Sequence, residues 1–151
     1  MCLANHKKAL CAAFAHGIPE TVTLIVEVPR GAFVKRDAAG RLDYVSPLPS
    51  PFNYGSVPGT RAADGEAQDV VLLGRRRRRG EQVEAPVVGV VYFRDGGVQD
   101  DKWVCGSARG WERRLVMAFF RFYAFGKRLL GHGTVYGGSM WREDGTTPPA
   151  R

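Results

Sequence analysis

The chain has 151 residues, 44% of them hydrophobic, which suits a single globular domain that can bury its own core. Its formal net charge is +7, but five of the positive charges form one arginine run, 75–79, and the remainder has seventeen basic against fifteen acidic side chains. No apolar run approaches the ~20 residues of a membrane span, so we expect no membrane contact. Three cysteines without metal-ligand spacing indicate free thiols in a reducing compartment.

Short β-branched segments predict a strand-rich domain. The predicted strands are 21–28, 33–37, 42–45, 70–73, 84–93 and 103–105. Segment 47–58 holds four prolines and is predicted to be irregular. The abundance of turn residues, nineteen glycines and nine prolines, favours a small barrel over a long helical bundle.

From Trp111 the apolar residues follow a helical period, which predicts a helix that ends near Gly126 or Gly131. The residues expected on its apolar face are Trp111, Leu115, Ala118, Phe119, Phe122 and Phe125. We expect an N-terminal extension over 1–20, a barrel domain with this helix over 21–130, and a disordered tail over 131–151. The predicted fold class is mainly β with one or two helices (α+β), as a small five-stranded closed barrel followed by a C-terminal helix.

Three acids, Asp64, Glu66 and Asp69, lie within six residues on a glycine-containing turn that leads into the apolar strand 70–73. A turn can aim several carboxylate oxygens at one point, which is how proteins hold hard cations. The same acids are also compatible with an ordinary solvated loop. The turn alone therefore predicts a candidate metal site and leaves the loop interpretation open.

Three stretches in order support the metal interpretation. They are VEVPRGA at 26–32 followed by Lys35, FNYGSVPGTRAADGEAQDVVLL at 52–73, and VGVV at 88–91 followed by Asp95 and DDK at 100–102. Together they resemble the signature of soluble (family I) inorganic pyrophosphatases over residues 20 to 105. The resemblance implies an OB-like five-stranded barrel, Mg²⁺-dependent hydrolysis of inorganic pyrophosphate to two phosphates, and a cytoplasmic homo-oligomer.

The resemblance also assigns roles to individual residues. The implied metal ligands are Asp64, Asp69, Asp95, Asp100 and Glu27. The implied phosphate ligands are Lys35, Tyr54, Lys102 and Tyr123, and Glu66 would orient and deprotonate the attacking water. An all-oxygen ligand set suits Mg²⁺, with Mn²⁺ as the alternative, because no histidine and cysteine set competes for zinc.

Several positions depart from the family pattern, so the sequence predicts a divergent member. A phosphate-binding arginine is expected where Tyr44 stands, a tyrosine at Ser50 and a lysine at Ala124. Arg36 and Arg41 are near enough in sequence to replace the lost arginine. Glu66 stands where the family has aspartate, and its extra methylene displaces the carboxylate by about 1.5 Å. Because a displacement of about 1 Å can cost ~10²-fold in rate, reduced activity is expected.

Two other classes of function stay open at this point. The lost phosphate ligands are compatible with a catalytically degenerate protein that keeps the fold as a binding module. The arginine run could bind nucleic acid through counterion release. It lacks interleaved aromatic residues, however, so the sequence favours a solvated hairpin loop between two strands and does not favour a nucleic-acid partner.

Overall fold

The computed structural model describes residues 17–37, 39–46 and 48–142. Its strands are β1 (Thr21–Val28), β2 (Val34–Arg36), β3 (Leu42–Val45), β4 (Asn53–Val57), β5 (Gln68–Leu72), β6 (Gln82–Asp95), β7 (Val98–Gln99), β8 (Lys102–Cys105) and β9 (Val135–Trp141). The helix α1 (Gly110–Leu129) lies between β8 and β9. Most of the expected N-terminal extension, residues 1–16, lies outside the described residues. Within the described part of the chain, no helix has the length and apolar character needed to cross a membrane.

Five strands close on themselves in a ring. β1 pairs antiparallel with β4 and β6, β4 pairs with β5, β5 runs parallel to β8, and β8 returns to β6. β6 is long enough, at fourteen residues, to complete the ring and also to pair with β7 and β9. β2 and β3 form a separate hairpin. The prediction of a mainly β fold with a helix after the strands is confirmed.

Burial on both sides of the ring explains the continuous apolar run in β5. Val70 and Leu72 belong to the cluster that fills the ring. Val71 and Leu73 belong to a second cluster, between the ring and α1, that contains Phe120. Alternate side chains of a strand point to opposite faces, so a strand covered on both faces needs apolar residues at successive positions. The helix is therefore held against the outside of the ring, where it borders the cavity described below.

Gly55 marks the closest backbone approach between two ring strands. A β-carbon at this position would lie 2.0 Å from the carbonyl oxygen of Ile25 in β1. No side chain fits there without moving the backbone. The glycine thus permits β1 and β4 to approach across a register shift between Val26 and Val28.

The expectation of an irregular segment over 47–58 was wrong at its C-terminal half, where Asn53–Val57 forms the ring strand β4. Flanking prolines conceal this strand, because Pro51 and Pro58 stand just outside it rather than within its hydrogen-bonded ladder. β4 pairs with β1 on one side and β5 on the other. It thereby places Tyr54 on the side of the ring that faces the helix.

The expected disordered tail is also corrected by the structure. Val135–Trp141 forms β9, which pairs antiparallel with β6, from Arg94 with Val135 to Gly89 with Trp141. Two adjacent glycines lower the intrinsic strand preference of this segment, so its pairing with a long partner strand decides its conformation. Residues 143–151 lie outside the described residues.

The helix ends just before Gly131, the second of the two predicted stops, but it buries a different face from the one predicted. It continues through Gly126 to Leu129, and Gly131 follows it with a φ of +85°. The buried apolar residues are Val116, Phe120 and Ala124, whereas Phe122 and Phe125 from the predicted face are 64% and 59% exposed. Apolar residues occur on more than one side of α1, so the period alone did not identify the packed side.

The core of the ring contains a testable thiol. Cys105 is fully buried, and burial raises its pKa to about 12, whereas an unfolded thiol titrates near 8.5. At pH 8.5 we expect iodoacetamide to modify Cys105 at least about 100-fold more slowly in the folded protein than in urea, as measured by peptide mass spectrometry. Because the folded pKa is the higher one, stability should fall as the pH rises from about 8.5 toward 12.

A Cys105→Ala variant provides the control for the pH effect, and its free energy of unfolding should fall less over the same pH range. Equal modification rates in the folded and unfolded chains would contradict the burial of this thiol.

Candidate active site

A cavity of about 570 Å³ opens between the β2–β3 hairpin, the rim of the strand ring and α1. Its charged lining consists of Lys35, Asp43, Asp64, Glu66, Asp69, Asp95, Asp100, Lys102 and Lys127. Tyr54 and Tyr123 also line it. Residues from widely separated parts of the sequence thus meet around one space. They include every residue to which the resemblance assigned a metal, phosphate or water-activating role, except Glu27.

Lys102 holds the centre of the charged wall. Its Nζ donates to Asp69 Oδ2 at 2.6 Å and also to Asp100 Oδ1. The side chain of Lys102 is only 7% exposed, so its charge is stabilised mainly by these two carboxylates. Two of the three acids expected at one metal are therefore brought within reach of a single cation.

Burial raises the pKa of Asp100, an effect that the charges of Asp69 and Asp64 reinforce and the hydrogen bond from Lys102 opposes. Like charges close together in a partly buried site favour a bound cation, because each carboxylate is costly to leave ionised beside the others. Since the charge of Asp64 contributes to the raised pKa of Asp100, the two carboxylates are close enough to interact electrostatically.

The acidic turn presents Asp64 and Glu66 to solvent at the cavity's edge. The backbone N–H of Glu66 donates to Asp64 Oδ1 at 3.0 Å, which fixes the turn. Within residues 17–142, apart from the two undescribed positions 38 and 47, no group of three or more histidine, cysteine or acidic side chains converges as a metal cage. The turn and the Lys102 pair line one cavity without forming a closed ligand set.

Lys35 is held by acids from two strands. Its Nζ lies 3.8 Å from Glu27 Oε2 and 3.3 Å from Asp43 Oδ2. Burial alone would lower the pKa of Lys35, but the charges of Asp69, Glu27 and Asp43 outweigh it and raise the pKa. Lys35 therefore stays cationic at the cavity wall.

Glu27 lies behind Lys35 and accepts a hydrogen bond from Ser56 Oγ at 2.7 Å. In this arrangement Glu27 supports a lysine that lines the cavity, and it is not itself part of the lining.

Tyr54 projects from β4 between the lysines and the acids. Its ring is half-buried, and the Nζ of Lys35 lies 5.6 Å from the ring centroid. Burial, together with the nearby Asp69 carboxylate, raises the pKa of the Tyr54 phenol well above its usual value near 10. The hydroxyl therefore keeps its proton at neutral pH and can donate a hydrogen bond to an anion.

Sequence analysis did not identify Lys127, which α1 places in the cavity one helical turn after Tyr123. Its Nζ donates to Asp95 Oδ2 and lies 5.5 Å from the Tyr123 ring centroid. Thr134 Oγ1 donates to the other oxygen of Asp95 at 2.9 Å. The hydrogen bond from Lys127 is the main cause of a lowered pKa for Asp95. The spacing of four residues from Tyr123 was the available sequence signal.

Two of the three positions that depart from the family pattern lie in the cavity wall. Tyr44 and Ser50 line the cavity but bring no cation, and Ala124 is buried against the ring. Arg36 and Arg41 do not replace the missing arginine. Arg36 donates to the Gly40 carbonyl, and Arg41 pairs with Asp37 at 2.8 Å, so both remain within the hairpin turn.

The arginine run connects β5 to β6, two strands that do not pair with each other, so the loop is not the hairpin we expected. Arg77 pairs with Glu81 at 3.0 Å, and Arg79 donates to the carbonyls of Glu27 and Val34. The buried side chain of Asn53 anchors the loop backbone from below. At least two of the five arginines therefore stabilise the fold.

Charge defines what the cavity can accommodate. Its described lining has three lysines against six carboxylates, a formal excess of three negative charges. A polyanion would be repelled by this excess until cations neutralised it. The fold and the site together define a small β protein with a closed ring of five strands and a cavity of net negative charge at its rim.

Comparison with known proteins identifies the family. The sequence model of the family described as inorganic pyrophosphatase matches residues 24–116, so the chain belongs to the inorganic pyrophosphatase family. The inorganic pyrophosphatase of Haemophilus influenzae is 39% identical over 95 residues, which cover 58% of this chain and 54% of that protein. The inorganic pyrophosphatase of Neisseria meningitidis serogroup A is 38% identical over 95 residues, with the same coverage.

Solved structures agree with this assignment. The inorganic pyrophosphatase of Thermus thermophilus superposes with a TM-score of 0.69 at 26% identity, covering 83% of this chain and 84% of that one. The enzyme from Neisseria gonorrhoeae superposes with a TM-score of 0.67 at 26% identity, covering 81% and 83%. The family resemblance seen in the sequence is confirmed. In sequence, the chain matches about half the length of its two bacterial relatives.

Proposed function

We propose that this chain hydrolyses inorganic pyrophosphate to two phosphates with Mg²⁺ as its cofactor, and that Mn²⁺ can substitute. The observation that carries the proposal is the pair of carboxylates, Asp69 and Asp100, that share the ammonium group of Lys102. They lie in a cavity whose lining has a net negative charge. Membership of the family supports the reaction. The geometry supports binding of cations beside a small polyanion, because carboxylates and lysines line the same cavity.

The donor set fits Mg²⁺ or Mn²⁺, because the cavity offers carboxylates and its described lining includes neither histidine nor cysteine. Asp64, Asp69 and Asp100 would hold the first ions, and Asp95 would hold a further one. Glu27 would support these ions from its position behind Lys35. Bound divalent ions would neutralise the pyrophosphate oxygens and lower the pKa of a bound water.

The cationic and phenolic groups of the cavity would bind the phosphates. Lys35 and Lys102 lie on the ring side, and Tyr123 and Lys127 on the helix side. Tyr54, whose phenol stays protonated, would donate from the ring between them. Lys127 would provide, from the next helical turn, the cation that position 124 lacks. Such preorganised donors stabilise the charge that develops on the leaving phosphate.

Glu66 would accept the proton of the attacking water from the edge of the cavity. Its exposed position on the acidic turn lets the carboxylate reach into the cavity without breaking a packed contact. Because its side chain is one methylene longer than the family's aspartate, we expect the wild-type rate to be below its attainable maximum.

Shortening this side chain should therefore increase activity. A Glu66→Asp variant is expected to raise kcat about tenfold, while Glu66→Gln should lower it at least about 100-fold because it removes the base. Steady-state phosphate release at saturating pyrophosphate measures both. If the two variants change kcat in the same direction and to the same extent, Glu66 does not act on the water.

The decisive experiment for the proposal is phosphate release from pyrophosphate with Mg²⁺, comparing the wild type with Asp69→Asn. We expect metal-dependent turnover in the wild type and a loss of at least about 10³-fold in the variant, since the change removes a charge that both Lys102 and the metal use. Glu84→Gln, an exposed acid on β6, is the matched control and should keep full activity. Equal turnover in the wild type and Asp69→Asn would refute the proposal.

A non-catalytic binding module is the second candidate, and a specific observation favours it. Each of the three cavity lysines already pairs with a carboxylate, and Tyr44, Ser50 and Ala124 add no cation. In that case Mg²⁺ should raise the melting temperature of the wild type without any phosphate release.

The proposal also includes a cytoplasmic location and a homo-oligomeric state. Trp111, Phe125 and Leu129 support the second, because they lie on one face of α1 outside the cavity and are 55%, 59% and 73% exposed. Large exposed apolar side chains on one helix face are typical of subunit contacts. Sedimentation of the wild type and of a Phe125→Glu variant would test it, with a smaller particle expected for the variant.

A further inference from the structure

The cavity has a second wall that pyrophosphate does not explain. This apolar wall consists of Phe33, Leu48, Phe122 and Leu130. These side chains are 49%, 55%, 64% and 79% exposed in the chain, although they border the charged end of the same space. A small polyanion gains nothing from such a surface, because it contacts charged and hydrogen-bonding groups.

Helix geometry explains how both walls reach one cavity. Phe119, Tyr123 and Lys127 follow one another at four-residue spacing, and their row leads to the Asp95 carboxylate. Phe122, Gly126 and Leu130 form the neighbouring row at the same spacing, and all three line the cavity. Gly126 leaves a gap between the two large side chains of the apolar row.

The hairpin completes the apolar wall from the opposite side. The Phe33 carbonyl accepts a hydrogen bond from the Ser46 N–H at 2.7 Å, which closes the base of the β2–β3 hairpin near Leu48. The hairpin places Phe33 and Leu48 across the cavity from the helix. Lys35 on β2 pairs with Asp43 on β3 and also lies near Glu27. Each strand of the hairpin therefore carries a charged cavity residue, and Phe33 and Leu48 lie just outside these strands in sequence.

Size and charge distinguish the two ends. A volume of about 570 Å³ lies within the range that accommodates ligands of drug size, much larger than a bare diphosphate. The three lysines of the lining are all paired with acids at the charged end. The uncharged Tyr44 and Ser50 also line the cavity. The site therefore offers charge for one end of a ligand and apolar contact for the other.

We propose that the cavity accepts diphosphate monoesters of apolar alcohols, such as alkyl or prenyl diphosphates, as substrates; this rests on the proposed diphosphate hydrolysis. Water would form a bond to the terminal phosphorus, and the bond from that phosphorus to the bridging oxygen would break. The products are inorganic phosphate and the alkyl monophosphate, and the bridging oxygen leaves with the monophosphate. The water's protons pass to Glu66 and to the products, and no oxidant or reductant is required.

The test compares three substrates with Mg²⁺: inorganic pyrophosphate, methyl diphosphate and geranyl diphosphate. Methyl and geranyl diphosphate have the same charged group, so their difference reports the apolar chain alone. We expect kcat/KM for geranyl diphosphate to exceed that for methyl diphosphate by at least about tenfold, which corresponds to about 1.4 kcal/mol. Phosphorus NMR should show geranyl monophosphate and inorganic phosphate as the products.

Variants of the apolar wall test whether it binds the apolar chain of the substrate. Changing Leu48 and Phe122 to serine together should reduce the ratio of kcat/KM for geranyl diphosphate to kcat/KM for methyl diphosphate about tenfold. The same change should leave pyrophosphate turnover unchanged. Val98→Ser, which alters an exposed apolar residue of β7 outside the cavity, should leave the ratio unchanged. Urea denaturation of each variant confirms that it folds before its kinetics are compared.

The outcomes separate this inference from the proposed function. Pyrophosphate turnover with equal kcat/KM for the two esters would overturn the inference and keep the proposed function. Absence of turnover on all three substrates would refute the proposed function, and the inference with it. If the Leu48 and Phe122 changes dissociate an oligomer without changing the ratio, the apolar wall is an interface between copies of the chain and the inference is wrong.

Discussion

Replacing Lys102 with methionine is expected to lower kcat for pyrophosphate by about 10²–10³-fold and to destabilise the metal-free protein by about 2 kcal/mol. The ammonium group sits between Asp69 and Asp100, and methionine of similar length leaves the two carboxylates without their shared cation. We expect a smaller loss of stability than for a fully buried ion pair, because the side chains of Asp69 and Asp100 are 19% and 21% exposed. Water therefore screens part of their charge.

Magnesium should reverse much of this loss of stability. If divalent ions bind at Asp69 and Asp100, as we propose, they restore the positive charge that the variant lacks. The free energy of unfolding, measured by urea titration in EDTA and again in Mg²⁺, should therefore increase more for Lys102→Met than for the wild type. Activity should stay low in both conditions, since the phosphate donor is still missing.

Arg94→Met is the matched control, because Arg94 is an exposed cation on the neighbouring strand β6 outside the cavity. It should change kcat by less than about twofold and unfolding by less than about 0.5 kcal/mol. Equal effects of the two substitutions on stability, activity and magnesium response would show that Lys102 has no special relation to the acids.

The parts of this site that the sequence predicted are those whose spacing is local. Asp64 and Glu66 belong to one turn, and Asp69 follows three residues later at the start of β5. The turn geometry follows from Gly65 and from the hydrogen bond between Asp64 and Glu66. Family motifs then related these acids to Asp100 and Lys102. Short-range turn chemistry and recognisable motifs therefore gave most of the charged wall.

Lys127 and Asp43 were missed because their roles depend on contacts between distant elements. Lys127 meets Asp95, 32 residues away in sequence, only because α1 packs with Phe120 against Phe52 and Phe93. A helix with apolar residues on several sides can be rotated about its axis without violating any sequence pattern. The rotation that is adopted decides which residues reach the cavity.

β9 illustrates the same limit for the fold. Its glycine-rich sequence gives little intrinsic preference, and its conformation depends on the extra length of β6 beyond the ring. Trp141 packs over Gly89, where a β-carbon would lie 2.5 Å from the indole ring. The two segments fit because a small residue on one strand matches a large residue on the other, a relation that neither segment reveals alone.

The largest effect on stability is expected at Asn53, which is fully buried at the start of β4. Its Oδ1 accepts from the backbone N–H groups of Arg30 and Arg77 at 3.0 and 2.9 Å. Its Nδ2 donates to the carbonyls of Leu72 and Arg75 at 3.3 and 2.8 Å. One amide side chain thereby satisfies four backbone groups from three separate segments.

An Asn53→Leu variant should lose about 4 kcal/mol of stability, a large part of the 5–15 kcal/mol typical of a small domain. Leucine has a similar volume but cannot pair with the four backbone groups. Urea denaturation measures the loss. Hydrogen exchange should show it locally, with the amide of Arg77 exchanging faster because its acceptor is gone.

Asn53→Asp separates the hydrogen bonds from side-chain size. Aspartate keeps the acceptor for Arg30 and Arg77 but points a second oxygen at the carbonyls of Leu72 and Arg75. Burial against these carbonyls should raise the pKa of the new carboxyl above its unfolded value near 3.9, so the folded variant binds its proton more tightly. Stability of Asn53→Asp relative to the wild type should therefore improve as the pH falls from 7 toward 4, because the protonated form can donate to one carbonyl. If Asn53→Leu unfolds at the wild-type urea concentration, or if the deficit of Asn53→Asp is independent of pH, the four hydrogen bonds do not anchor the loop as described.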